Sequence, residues 1–156
     1  MSIADDLIGQ LEATWIMTQE LIDACPDESW HVGQERYFVP ACQLYHLLDC
    51  AQCLCGNPPK PAPTPKPFGA HWNGPENEIP TREQLRGLLE KVRHDAAAWI
   101  RGLSDADLTS VGHPTVTREG STPFGQVIYA IRHNQYHLAV VNSEMRRRGL
   151  PRMQWR

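Results

Sequence analysis

Residues 122–149 read TPFGQVIYAIRHNQYHLAVVNSEMRRRG, and the reading of this stretch decides the fold. Thr122-Pro123 is a helix start, because proline is preorganised for the first helical position and lacks only an N–H that would have no partner there. Phe124, Val127, Ile128, Ile131, Leu138, Val141 and Met145 then recur at helical spacing, and Gly149 with Pro151 beyond it marks the end. A helix of about seven turns is predicted. It carries His133 and His137 four residues apart, which puts both imidazoles on one face, one turn from each other.

Working outward, three more segments show the same periodicity and none shows sustained two-residue alternation. Ser2 and Asp5 resemble a capping box ahead of Leu7, Leu11, Thr14, Trp15, Thr18, Leu21, Ile22 and Cys25, and Pro26 ends that helix. Pro40 starts a second helix, which runs to a glycine cap at Gly56 and is apolar around nearly its whole circumference, as a buried helix is. Thr81 with Gln84 opens a third, with Leu85, Leu88, Leu89, Val92, Ala96, Trp99, Ile100 and Leu103 on one face. Between the second and third helices, residues 57–80 hold eight of the chain's thirteen prolines. Polyproline geometry advances about 3.1 Å per residue against about 1.5 Å in a helix. The stretch can therefore carry the chain back along a helix and let helices two and three run parallel, with Phe68 and Trp72 pinning it. The expectation is an all-α four-helix bundle with one long proline-rich crossover, forming a single domain over residues 1–156. Thr109 to Ser121 is polar and reads as loop or a short hairpin.

Composition narrows the function. With 15 Lys plus Arg, 18 Asp plus Glu and a net charge of -3, the chain lacks the basic surface that phosphate contacts require, so no nucleic-acid partner is expected. No apolar run approaches the roughly 18 residues of a membrane span. The acidic N-terminus is unlike a signal peptide. Five cysteines, an odd number, suit reduced thiols, and a cytoplasmic location is expected. A chain of 156 residues has core enough to fold without disulfides or a structural metal. Its seven histidines and five cysteines therefore need another explanation.

The His133–His137 pair alone fits two readings: two ligands to one metal ion, or two hydrogen-bonding imidazoles on a polar flank. No Glu follows the first His, so it is not the zinc-protease motif. His46, in the middle of the apolar second helix, adds a third imidazole whose nitrogens need partners. If helices two and four face each other, three imidazoles converge and leave a coordination position open. Asp49 and Glu144 are candidates for orienting an imidazole.

These features, with Pro123-Phe124-Gly125-Gln126-Val127, Trp30 in the first connection and the Leu103-Ser104-Asp105-Ala106-Asp107-Leu108 stretch, resemble the DinB-like (YfiT-related) superfamily of metalloproteins over essentially the whole chain. The resemblance implies an up-down-down-up bundle in which His46, His133 and His137 hold a divalent metal ion, zinc or nickel. It also implies a metal-dependent enzyme acting on a small molecule, as a thiol-dependent transferase or a hydrolase, with a low-molecular-weight thiol as partner. The alternative is a stress-response protein that binds metal or ligand without turnover. Family habit makes a homodimer plausible. No catalytic residue is assigned.

Cys42, Cys50, Cys53 and Cys55 crowd the second helix. No second ligand pair makes them a zinc ribbon, and no βαβ context makes them a redox motif. They are read as small hydrophobes near the core, with contact between Cys42 or Cys50 and the metal as the alternative, since each lies one turn from His46. Trp15 and Trp99 are assigned to the core. Trp30 and Trp72 could line a pocket mouth or tie down a loop, and His31, His71, His94 and His113 are assigned to the surface. Arg146-Arg147-Arg148 is read as a cationic last turn favoured by the helix dipole.

Overall fold

The computed structural model describes residues 2–55, 79–115 and 122–156. Among them the secondary structure is entirely helical: α1 (Ile3–Ala24), α2 (Asp27–Trp30), a 3-10 helix (Arg36–Phe38), α3 (Pro40–Leu54), α4 (Arg82–Arg101), α5 (Asp105–Thr109) and α6 (Pro123–Arg147).

The long helices begin and end where local chemistry dictates. Ser2 Oγ accepts from the Asp5 N–H at 3.2 Å while the Asp5 carboxylate accepts from the Ser2 N–H at 3.0 Å, so two of the orphan donors at the start of α1 are satisfied. Cys25 and Val39 both adopt extended backbone, with ψ near 120°, as residues preceding proline must. Thr81 and Gln84 repeat the capping box on α4. On α6, Gly149 takes φ 69°, and the Gly149 and Leu150 N–H groups donate to the Arg146 and Met145 carbonyls. That is a Schellman end, for which a residue without Cβ is suited.

The four long helices surround one core. α3 packs against α6 and α4, and α1 packs against α4 and α6. Leu44, Leu47 and Leu48 of α3, Leu85 and Ile100 of α4, Leu21 of α1 and Leu138 of α6 are each 0% exposed. Each such side chain contributes roughly 1.5–3 kcal/mol of burial. Polar contacts between the helices run in opposite order along their chains. From α4 to α1 they are Arg82 to Ile22 and Cys25, Arg86 to Asp23, and Arg93 to Glu12. Between α3 and α6 they are Gln43 with His137 and Leu54 with Gln126. The Arg148 guanidinium, at the end of α6, donates to Val32 O and Ser29 Oγ, which brings that end beside α2.

Several expectations change in detail. α2, α5 and the 3-10 helix are too short to show periodicity, although Ser104 and Asp107 form a capping box ahead of α5. α3 ends at Leu54 with Cys55 as its cap, and the expected Gly56 cap lies outside the described residues, as do Phe68, His71 and Trp72. Residues 110–115 form no strand, and the rest of the suggested hairpin is not described. Phe124 and Ile128 lie on the solvent side of α6, 39% and 44% exposed, instead of joining the core stripe. No described helix is long and apolar enough to cross a membrane.

Candidate metal centre

α3 is buried on all sides but one. Its half-buried positions are His46, Cys50, Gln52 and Cys53, so His46, Cys50 and Cys53, at i, i+4 and i+7, form a single stripe on an otherwise apolar helix. Across from it, α6 presents His133 and His137. Among the described residues the three histidines meet: ring centroids lie 5.1 Å apart for His46–His133, 4.5 Å for His46–His137 and 4.5 Å for His133–His137.

Hydrogen bonds decide which nitrogen faces inward. The Gln43 Nε2 group donates to the Tyr37 carbonyl, which turns its Oε1 toward His137. The His137 Nδ1–H donates to that oxygen at 2.6 Å. In the neutral ring Nε2 then carries the lone pair and is the accepting nitrogen. His137 Nε2 lies 3.2 Å from His133 Nε2. One proton can bridge that gap, and so can one cation. With metal–nitrogen bonds of about 2.0–2.1 Å, two ligands at angles between square and tetrahedral stand about 2.9–3.4 Å apart, so the observed spacing fits a shared ion. On the other side of His133, Asn134 Oδ1 lies 3.5 Å from Nδ1. The Asn134 side chain is fully buried, and its Nδ2 has no hydrogen-bond partner among the described residues.

Burial also keeps the imidazoles neutral. It lowers the His133 pKa below the usual histidine value, a shift partly offset by the contact with Asn134. It brings the His137 pKa down to about 4, assisted by repulsion from a charged His133. At neutral pH both rings offer lone pairs, the form in which imidazole ligates.

A second group of possible donors, which includes a thiol but not His137, overlaps the three imidazoles. One ligand atom each from His46, Cys50 and His133 fall within 4.8 Å of one another, and Cys50 Sγ lies 3.7 Å from His46 Nε2 and 3.9 Å from Nδ1. Cys50 therefore departs from the reading of the cysteines as filler. That reading does suit Cys25, Cys42 and Cys55, which are buried. Burial pushes all three thiols up, Cys55 to about 12, and leaves them chemically quiet.

The candidates for orienting an imidazole fare differently. Glu144 is engaged by Arg147 through two hydrogen bonds of 2.8 Å, and the Arg147 guanidinium holds its carboxyl below the usual carboxylate range. Asp49 is buried, 4% exposed. The group that does orient an imidazole is Gln43, one turn before His46, which sequence reasoning missed. A polar residue on a helix read as buried all round was the signal available. The Arg146-Arg147-Arg148 run does more than complement a dipole, since Arg147 and Arg148 make these specific bonds. Trp15 and Trp99 sit in the core, and Trp30 is buried, its Nε1 donating to the Pro80 carbonyl at 3.0 Å. Trp30 thus ties down a connection. His31 and His94 are exposed, whereas His113 is half-buried, with Nδ1 2.8 Å from Thr115 Oγ1.

Tyrosines flank the cluster. Tyr129 stacks on His133 at 5.9 Å and Tyr136 meets His137 edge-on at 5.1 Å. The Tyr136 and Tyr37 hydroxyls are 2.9 Å apart. Beside them a groove of about 360 Å³ runs along α6, lined by Phe38, Tyr136, Ala139, Val140 and Ser143 and closed by the Glu144–Arg147 pair.

The family model described as the DinB superfamily matches residues 10–141. No curated protein matches the chain.

Proposed function

The chain belongs to the DinB superfamily, and on that premise we propose that His46, His133 and His137 hold a divalent metal ion, zinc or nickel, serving a metal-dependent reaction of a small molecule. The observation that carries this reading is the 3.2 Å approach of His137 Nε2 to His133 Nε2, with His137 held by Gln43. Three imidazole ligands leave a coordination position for a further donor. When bound, the ion supplies Lewis acidity, which polarises a carbonyl or holds a thiol as thiolate. The protein's own contribution is to fix the rings. Gln43 sets the tautomer of His137, and Tyr129 and Tyr136 brace His133 and His137. The groove beside Tyr136 has room for a small, mostly apolar molecule, and the reaction proposed is that of a thiol-dependent transferase or a hydrolase.

The same reading takes the four long helices as an up-down-down-up bundle. Supporting it are the opposed order of the α1–α4 and α3–α6 contacts and the placement of the end of α6 beside α2.

A second reading, metal binding without turnover, is favoured by one observation: Cys50 stands ready to fill the remaining position. Elemental analysis of purified protein beside His46→Ala and His137→Ala variants tests the shared premise. The expected result is about one metal ion per chain in the wild type and less than about a tenth of that in either variant. Full occupancy retained in both variants would sink the three-histidine site. Adding thiols and electrophiles to the metal-loaded protein separates the readings, since consumption of either supports catalysis and none across a broad panel supports binding alone.

A further inference from the structure

Resting on that metal-centre reading, we propose that Cys50 is a fourth ligand, so that the resting site is three imidazoles and one thiolate. His46 and Cys50 are i and i+4 on α3, which aligns their side chains on one face. That face is the half-buried stripe of a helix otherwise sealed in the core. The sulfur is 3.7 Å from His46 Nε2 and belongs to the same 4.8 Å cluster as the His133 nitrogen. A thiolate at about 2.3 Å and an imidazole at about 2.05 Å from one tetrahedral ion stand about 3.6 Å apart. The near-equal distances to the two ring nitrogens place the sulfur alongside the imidazole. Coordination therefore needs a side-chain rotation that brings the sulfur in line with a ring nitrogen's lone pair.

The chemistry has two consequences. Binding removes the thiol proton to buffer, and the soft donor biases the site toward zinc and similar ions and away from magnesium, calcium or manganese. The position Cys50 fills also suits a low-molecular-weight thiol, since both offer the same sulfur donor. Such a thiol would reach the ion by displacing Cys50, giving up its own proton as it binds while the departing Cys50 thiolate takes one up.

Cobalt(II) loading of the full-length wild type, Cys50→Ser and Cys53→Ser tests the assignment. Expected are a near-ultraviolet thiolate-to-cobalt charge-transfer band in the wild type and in Cys53→Ser, its loss in Cys50→Ser with visible ligand-field bands retained, and zinc affinity at least about 10-fold weaker in Cys50→Ser. A bound cobalt ion with no charge-transfer band in the wild type, or a band that survives in Cys50→Ser, overturns the fourth ligand and leaves the three-histidine site standing. A wild type that takes up no cobalt overturns both. X-ray absorption of the zinc-loaded wild type needs no variant to fold. A sulfur neighbour at about 2.3 Å supports the assignment, and a shell of only nitrogen and oxygen at about 2.0–2.1 Å ends it.

Discussion

The seam between α1 and α4 and the seam between α3 and α6 join long helices of the same core with opposite polar chemistry. Along the first, apart from Arg82, which is 18% exposed and donates to the Ile22 and Cys25 carbonyls, the groups that meet are charged and lie near solvent: Arg86 with Asp23, 45% and 50% exposed, and Arg93 with Glu12, 43% and 34% exposed. Along the second they are neutral and inside. Gln43, Gln126 and Asn134 are 0% exposed and His137 is 6%. Charges kept in water need little from the protein and give little back. Neutral polar groups shut into a core must find partners there, as His137 does in Gln43 and His133. The difference teaches where a cation can be taken up: at the seam whose lone pairs face each other, not at the seam already filled with ions.

Acid separates the two seams most strongly. Because burial lowers the His137 pKa from 6.5 to about 4, the unfolded chain takes up that proton first as pH falls. Metal-free protein is therefore at full stability above pH 6.5, loses it between 6.5 and about 4, and loses no more from this group once the folded ring is protonated too. At about 1.4 kcal/mol per pH unit the loss is roughly 3 kcal/mol. Denaturant melts of metal-free wild type and His137→Ala at pH 7, 5.5 and 4 measure it. The variant should show a flatter profile, and equal slopes for the two proteins would break the comparison.

A smaller effect sharpens the α3–α6 side. Replacing Gln43 with Leu removes the acceptor that fixes the His137 tautomer while leaving all the ligands in place, and metal affinity should fall about 10–100-fold. Gln43→Glu keeps an acceptor and should recover most of the loss. Chelator competition reads both. Equal affinity in Gln43→Leu and the wild type would show that the ring needs no such support.

The two seams also differ in how far the sequence foretells them. Helix existence and the convergence of His46, His133 and His137 follow from periodicity and from resemblance, because spacing along a helix fixes which side chains share a face. Phe124 and Ile128 were misplaced because spacing cannot tell a wide apolar stripe from a narrow core with two exposed neighbours. Gln43 was not singled out, and Cys50 was named only beside Cys42 as an alternative metal contact. Both lie one turn from His46, as do Cys42 and Asp49, and only the packing of α6 against α3 decides which of these residues meet an imidazole. Glu144 failed for a related reason. Its choice between an imidazole and Arg147 depends on side-chain reach, which spacing does not encode.

The weakest expected effect lies on the charged seam, and it is the sharpest check on treating that seam as a solvated boundary. Arg93 donates through both Nε and Nη2 to the Glu12 carboxylate, a bidentate pair of the kind that is strongest when buried. Here both partners keep a third or more of their side chains in water, so hydration competes with the contact and ordering two long side chains costs entropy. A double-mutant cycle with Arg93→Ala and Glu12→Ala should give a coupling of only about 0.2–1 kcal/mol, diminishing further in high salt. Metal content should not change in either variant, since neither residue touches the α3–α6 cluster. A coupling well above 1 kcal/mol that persists in salt would mean the pair is effectively buried. The α1–α4 seam would then share the enclosed character of the histidine seam, and the contrast between them would fail.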